Sequence, residues 1–382
     1  MAKIFYGKQS IDKSDIDAAI KCLKSNFLTT GPKVLEFEKE ISKTTGCKYS
    51  LSCNSGTSAI FLTALMLKLK KGDNIIIPNI NFVASFNIFS FLGCNVYLAD
   101  VDNRTGQATP DSIIECIKKE KIKKLKCFVT MPLGGLLTNI EEFYNIRKKY
   151  KCFWMEDNCH ALGSDYIFKK KIEKAGSCKH SDFSIFSFHP IKAITTFEGG
   201  CINFRDKKHF EKAKLLRSHG IVRKKNYWDY DVILNGFNFR LNDVSAAVGI
   251  SQIKRLKKFI AKRQNIAKLY FKLLKNNRNI KFSFYKFPNY NSWHLFIILI
   301  NFKILKISKN NFMKKLNSKG IFPQVNYVPT SQFSVYKGKK VFKSSKDFFN
   351  KAVSLPIFFD LTKKQVKKIC DEVNQLTLMK YI

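Results

Sequence analysis

Lys192 stands in the string FSFHPIKAITTFEGG, residues 186–200, between an apolar strand-like run and a Gly-Gly turn. An amine in such a place can lose its proton through desolvation or nearby cations, and only the neutral form adds to a carbonyl. In a chain with 68 Lys and Arg residues an isolated lysine is ordinarily a solvated surface charge, so this reading depends on its neighbours. Asp157, in WMEDNCHALGS (154–164), follows the apolar run 152–155, and open α/β sheets place their ligand crevice at the carboxyl ends of buried strands. A carboxylate there can keep a heterocyclic nitrogen protonated through opposite-charge attraction; helix capping or a surface charge is the plain alternative. Glu156 is adjacent, but consecutive residues leaving a strand point to opposite sides. Asn54-Ser55-Gly56-Thr57-Ser58 joins a strand pattern to a helix pattern, so backbone N–H groups and the helix dipole converge on an anion, although many such turns are mere connections. An amine, a carboxylate and an anion cup, with a flat surface beside them, are the services that pyridoxal 5′-phosphate requires of a protein.

Hydrophobic periodicity predicts the elements that must hold these residues. Segments 14–23 and 34–44 read as amphipathic helices and 49–54 as a strand, followed by helix 57–67, strand 74–78, helix 84–92 and strand 95–101. A helix opens at Thr109-Pro110, where a capping hydroxyl precedes proline at the first helical position. Strand 127–131, helix 139–150 and strand 152–155 continue the alternation, which predicts a mostly parallel α/β sheet covered by helices on both faces. Strands 183–188 and 200–203 and one long helix, 242–274, complete it. Strand 294–300, helix 310–319, strand 323–327 and helix 363–376 predict a small C-terminal α+β domain, which divides the chain into 1–255 and 256–382.

The bulk properties narrow the classes. A hydrophobic fraction of 45% and a charged fraction of 25% over 382 residues describe a globular chain. The formal charge of +39 is spread through every segment, which predicts a diffusely basic surface attractive to anionic ligands; nucleic-acid footprints cluster their basic residues, and a nucleic-acid-binding protein is the alternative of another class. The 11 cysteines occur singly, without a CxxC pair, so neither a metal site nor a disulfide framework is expected. No apolar run approaches the ~20 residues that span a bilayer, and the first residues lack the apolar core of a secretion signal. A reducing cytoplasm without membrane attachment is the expected setting.

The strings themselves, in this order, resemble the DegT/DnrJ/EryC/StrS family of sugar aminotransferases: LTTGPKVLEFE (28–38), NSGTSAI (54–60), NFVAS (81–85), EDNCHALGS (156–164), SFHPIKAITTFEGG (187–200), RSHG (217–220), GFNFRLNDVSAAVGISQ (236–252) and SWHLF (292–296). The resemblance covers nearly the whole chain, and the string around Lys192 is its most specific part. It implies an aspartate-aminotransferase-like architecture of fold type I, with a seven-stranded, mostly parallel sheet sandwiched by helices, and a homodimer with shared active sites. It also implies roles for matching positions. Lys192 is the Schiff-base lysine and proton shuttle, Asp157 the partner of the pyridinium, and Phe82 the ring stacked on the cofactor. Ser55, Gly56, Thr57 and Ser187 match the phosphate donors, and Asn238 the asparagine given to the neighbouring subunit's phosphate. His160 departs from the glutamine that many relatives have near the ring hydroxyl. His189 is a packed or supporting residue, since the family's dehydratases put histidine at the lysine position itself, which Lys192 fills here.

The resemblance further implies ping-pong transfer of an amino group from L-glutamate to a keto group on a nucleotide-linked sugar. Within the family the texture is nearest to enzymes of the pseudaminic-acid route, which implies C4 of a UDP-linked 4-keto-6-deoxy-N-acetylhexosamine as acceptor. Enzymes of the legionaminic-acid, bacillosamine and dTDP-sugar routes share most of the same strings, and a pyridoxal-dependent sugar dehydratase is the further alternative.

Overall fold

Alternation of side chains on two buried faces dictates the central sheet. Within Asn74–Pro78, Ile75 and Ile77 enter one apolar cluster and Ile76 enters another, the period-two signature of a strand covered on both sides. Phe128 between Cys127 and Val129, and Trp154 beside Met155, repeat it. The computed structural model, which describes residues 3–226, 228–338 and 340–378, joins seven strands into one sheet: β1 (Tyr49–Cys53), β2 (Asn74–Pro78), β3 (Asn95–Ala99), β4 (Leu125–Thr130), β5 (Phe153–Asp157), β6 (Phe183–Ser187) and β7 (Gly200–Phe204). Their order is β1-β7-β6-β5-β4-β2-β3. β7 runs antiparallel to both neighbours, and every other pairing is parallel. The expected α/β architecture with a mostly parallel seven-stranded sheet is thus the observed one.

Helices seal both faces: α1 (Lys13–Leu23), α2 (Pro32–Thr45), α3 (Gly56–Met66), α4 (Ala84–Phe91), α5 (Pro110–Lys119), α6 (Ile140–Lys149) and α7 (Lys207–Arg217). Ile60 and Leu62 of α3 pack over Ile75 and Val129, flanked by α4 and α7, while Ile113 of α5 and Phe143 of α6 cover Ile76, Phe128 and Trp154. Thr109 caps α5, with Pro110 in the first turn, as its sequence requires.

The single long helix expected over 242–274 is two helices, α8 (Asp243–Lys254) and α9 (Leu256–Leu274). Arg255 separates them with ψ near zero (φ −97°, ψ −2°), and its guanidinium is tied to Asp12 and Asp15 at the start of α1. That anchor holds α8 against α1 and α2 and lets α9 leave in a new direction. α9 lays Ile266, Tyr270 and Leu274 on a second core around Phe296, Phe312 and Val366. This core contains a three-stranded antiparallel sheet, β8 (Ile280–Phe282), β9 (Phe296–Ile300) and β10 (Ala352–Leu355), with α10 (Lys309–Ser318), α11 (Lys343–Lys351) and α12 (Lys363–Leu378).

The strand expected over 323–327 does not form. Its place is taken by Ile321–Phe322, which pairs in parallel with Ile4–Phe5, and beyond it only Gln324 bridges to Ser354. Pro323 has no N–H to extend a ladder. Residues 4–5 therefore join the C-terminal core although they precede the expected division at 255. α7, α11 and the hairpins Asp165–Phe168/Lys171–Lys174 and Ile221–Arg223/Tyr230–Val232 were not legible from periodicity. No helix among the described residues is long and apolar enough to cross a membrane.

Candidate active site

The strand order brings the segments singled out in the sequence together at one end of the sheet's strands. β1 ends at Cys53, and Ser55 then caps α3, its hydroxyl accepting the Ser58 N–H at 3.0 Å. The first N–H groups of α3 have no intrahelical partner and face outward with the positive end of the helix dipole. Two glycines keep this turn open to close approach. A Cβ at Gly56 would lie 3.0 Å from Cβ of Ser187, and one at Gly200 would collide with the Ser55 carbonyl at 2.3 Å. Ser187, the last residue of β6, is thereby set beside the helix start.

Lys192 sits in the loop between the antiparallel strands β6 and β7. The loop is closed by Phe188 N–H to Gly199 O at 2.8 Å and Thr196 N–H to Phe188 O at 3.0 Å, and reinforced by Thr195 Oγ1 to Phe188 O at 3.1 Å and Thr196 Oγ1 to Glu198 O at 2.9 Å. The two threonines and the glycines of the motif thus build the frame, and Phe188 anchors it edge-on against Phe37. Within it, Lys192 N–H donates to His189 O at 2.9 Å. Burial lowers the pKa of the Lys192 amine, with Cys159 and the Asp157 carboxylate opposing.

Asp157 ends β5 and accepts the Cys159 N–H at 3.3 Å on Oδ1. Burial raises its pKa, against the Cys159 bond and the charge of Lys192. Glu156 leaves the strand on the other side, where Ser181 Oγ donates to it at 2.6 Å. The opposite orientation of these neighbours follows from the strand pleat.

These segments enclose a cavity of about 350 Å³. Of the residues singled out in the sequence, Ser55, Gly56, Thr57, Phe82, Asp157, His160, Ser187 and Lys192 line it. Phe82 presents a ring that is 52% exposed at the rim, 5.8 Å from the ring of Tyr327. Asn238 lies outside, on an exposed segment bridged to Ser218. His189 and Glu198, from the motif around Lys192, also line the cavity, as do Tyr6, Asn326 and Tyr327, which the sequence motifs did not point to. Tyr6 and Tyr327 come from opposite ends of the chain, and no local pattern marks them.

The β4 side of the cavity holds a hydrogen-bonded chain. Gly134 N–H donates to His160 Nδ1 at 3.3 Å, and His160 Nε2 lies 3.0 Å from Tyr327 Oη. His294 packs on His160 with ring centroids 4.1 Å apart. Burial pushes both histidines well below the ordinary imidazole range.

Glu156 carries a prediction about stability. Burial pushes its carboxyl from 4.5 to about 7, outweighing hydrogen bonds from Ser181 and Asn158. A carboxyl that binds its proton more tightly when folded contributes fully below its unfolded pKa, and that contribution is lost as pH rises through the folded value. Between 4.5 and about 7 the loss amounts to about 3 kcal/mol. Glu156→Gln keeps an acceptor for Ser181 and is expected to flatten this decline; urea midpoints at about pH 5 and about pH 8 measure it. Equal pH dependence in parent and variant would contradict the assignment.

Compared with known proteins, residues 9–374 match the sequence model of the DegT/DnrJ/EryC1/StrS aminotransferase family. The chain is 37% identical over 373 residues, 96% of each chain, to UDP-4-amino-4,6-dideoxy-N-acetyl-beta-L-altrosamine transaminase of Campylobacter jejuni. It is 32% identical over 380 residues, 98% of this chain and 97% of the other, to a protein of the same description from Helicobacter pylori. Its structure is similar to that of Helicobacter pylori PseC, described as an aminotransferase involved in the biosynthesis of pseudoaminic acid, with a TM-score of 0.90 and 31% identity over 98% of this chain and 99% of that one. The aminotransferase TlmJ from Streptoalloteichus hindustanus shares the fold, with a TM-score of 0.90 at 22% identity and the same coverage.

Proposed function

This chain belongs to the DegT/DnrJ/EryC1/StrS aminotransferase family, and we propose that it transfers an amino group from L-glutamate to C4 of a UDP-linked 4-keto-6-deoxy-N-acetylhexosamine, with pyridoxal 5′-phosphate held on Lys192. The observation that carries the reading is the meeting of Lys192, Asp157 and the start of α3 in one cavity, in a chain similar along its length to proteins described as UDP-4-amino-4,6-dideoxy-N-acetyl-beta-L-altrosamine transaminases.

The residues present fit the cofactor. Asp157 is ion-paired to no Arg or Lys within 4.0 Å among the described residues and accepts on Oδ1, which leaves Oδ2 for a ring nitrogen. The space where a Cβ of Gly56 would press on Ser187 suits a phosphate at a helix start. When bound, pyridoxal phosphate supplies an electron sink for the substrate carbon. The protein's share is binding and proton transfer. Lys192, whose lowered pKa favours the neutral amine, holds the cofactor and, once released, moves a proton at the substrate carbon. Asp157 holds its charge opposite the ring nitrogen. Ser55, Gly56, Thr57 and Ser187 bind the phosphate, and Phe82 covers a ring face.

A homodimer completes the site in this reading. Asn238 is exposed, and Tyr230, Val232, Ile233 and Phe237 in the same stretch of chain are exposed apolar residues of the kind that association covers. Covered by a second copy, this stretch would deliver Asn238 to the partner's phosphate site. The net charge of +39 favours capture of the sugar diphosphate.

The test is incubation of purified protein with L-glutamate and a panel of UDP- and dTDP-linked 4-keto sugars. The expected result is 2-oxoglutarate and a 4-amino sugar from the UDP-linked N-acetylhexosamine, with the others slower by at least about tenfold, the discrimination of one lost good contact. Equal rates across the panel would remove the assignment of this substrate, and absence of 2-oxoglutarate throughout would remove the reaction.

A further inference from the structure

We propose that a second, small cavity behind the Lys192 loop binds a monatomic inorganic anion of chloride size, held between Arg263 and Lys8. The proposal does not depend on the function proposed above. It starts from a buried charge without a counter-ion. Arg263, on α9, is 4% exposed and has no carboxylate within ion-pair distance among the described residues. All its hydrogen bonds leave from Nη1, which donates to the backbone carbonyls of Trp293 at 3.1 Å, His294 at 3.5 Å and Ile357 at 2.8 Å. Nε and Nη2 have no acceptor among the described residues, so part of the guanidinium fork is left for a further partner. Burial pulls the Arg263 pKa down to about 10, and the group stays charged at neutral pH. Carbonyl dipoles do not neutralise a full charge, and a buried cation is costly unless it is paired.

The cavity lies where segment 8–10, the loop 190–195 and α9 meet. Arg263 shares its lining with Lys8, Lys192, Gln252, Phe259 and Phe359, and no Asp or Glu lines it. Two carboxylates touch lining residues without lining the cavity themselves. Asp360 accepts the hydroxyl of Ser10 at 3.4 Å, and Asp15 is held by Gln252 Nε2 at 2.7 Å and by Arg255. The room inside is about 10 Å³, close to one water-sized sphere. That admits a monatomic anion and excludes a sulfate, a phosphate or the carboxylate of an amino acid. Phe259 and Phe359, with ring centroids 4.9 Å apart, make an apolar wall, beside which an opposite charge is attracted more strongly than in water. A water in this place accepts from Arg263 but leaves the charge uncompensated; a halide does both. Lys8 is exposed and marks the solvent side, where the net charge of +39 concentrates anions. Of the residues lining this cavity only Lys192 also lines the larger one, so the site stands behind the reactive lysine and outside the space assigned to the cofactor.

Bromide is the probe, because its anomalous scattering separates it from water. In crystals of the protein reconstituted with pyridoxal 5′-phosphate and soaked in sodium bromide, an anomalous peak is expected within hydrogen-bonding distance of Arg263 Nε or Nη2, and no peak at this place in Arg263→Gln. In solution, a ligand of the folded state raises stability by mass action, so raising bromide from about 1 mM to about 100 mM is expected to lift the unfolding midpoint of the parent by a few degrees more than that of Arg263→Gln. Sodium gluconate, whose anion is too large for the cavity, holds the ionic strength constant. Lys8→Gln removes an exposed charge and is expected to raise the half-saturating bromide concentration about fivefold. Water alone at the site in the parent overturns the proposal. So does a peak that persists in Arg263→Gln, which marks an adventitious ion only, and so does equal bromide dependence of the two midpoints. Should Arg263→Gln fail to fold, the parent crystal and Lys8→Gln decide together: a peak with weakened bromide dependence supports the site, and absence of either overturns it. None of these readings uses turnover, so the proposed function stands or falls separately.

Discussion

Lys192→Ala is expected to abolish turnover while the fold survives. The side chain lines a cavity, and the frame that holds its loop is made by backbone bonds of Phe188, Thr196 and Gly199 and by the two threonine hydroxyls. Alanine disturbs none of these. What it removes is the only amine in the cavity among the described residues, and with it, under the proposed function, both the covalent anchor and the group that moves the proton. General acid–base catalysis alone is worth 10²–10⁴-fold, so the combined loss is expected at about 10⁴-fold or more in kcat. Three measurements check it together: steady-state release of 2-oxoglutarate, the visible absorbance of the holoenzyme, and peptide mass after borohydride reduction. A variant that retains the absorbance, or an unmodified Lys192 peptide from the reduced parent protein, would defeat the assignment. The acidic limb of the parent's pH profile carries related information. Burial lowers the Lys192 pKa, so activity is expected to persist further into the acid range than an ordinary lysine would allow.

Asp157→Asn is expected to leave a folded protein that binds cofactor and turns over slowly. The asparagine amide oxygen can still accept the Cys159 N–H that now bonds to Oδ1, so the end of β5 keeps its geometry. The charge is lost. An opposite charge within ~4–6 Å shifts a pKa by about one to three units, so the protonated fraction of the ring nitrogen falls by a comparable power of ten. A drop in kcat of roughly 10- to 1000-fold follows, with a much smaller change in KM, because the interaction matters most where negative charge develops on the ring. Equal losses in Asp157→Asn and Asp157→Glu would point to shape in place of charge, since glutamate keeps the carboxylate. Loss of KM with kcat preserved would assign Asp157 to substrate binding. Glu156 serves as an internal control: it is one residue away, faces Ser181 on the other side of the strand, and its substitution is expected to change pH-dependent stability without a comparable fall in kcat.

Where sequence and structure agree, the interactions are local. The strand-to-helix turn proposed to hold the phosphate was legible as a turn because a capping serine, two small residues and a helix start are contiguous, and Ser55 does cap α3. The sheet was legible because strands buried on both faces announce themselves as short apolar runs, as in Asn74–Pro78, whose bounds match the expectation. The helix expected over 242–274 was misjudged because its periodicity is continuous through Arg255, whereas the break is associated with two carboxylates some 240 positions away, Asp12 and Asp15. The strand expected over 323–327 does not form, and the segment instead brings Asn326 and Tyr327 to the cavity, a placement that depends on distant parts of the chain.

The amino-acid sequence by itself determined the α/β class, that Lys192 and Asp157 each follow or end a buried strand, and that a strand leads directly into a helix at Ser55-Gly56-Thr57, since each depends on residues within one turn or one strand of each other. Tertiary structure alone decided that Tyr6, His160 and Tyr327 share a wall, which imidazole nitrogen can bear a proton, and how far burial moves the ionisations of Lys192, Asp157 and Glu156. The reason is physical: desolvation and hydrogen-bond direction belong to the space around a group, and that space exists only once distant segments have packed.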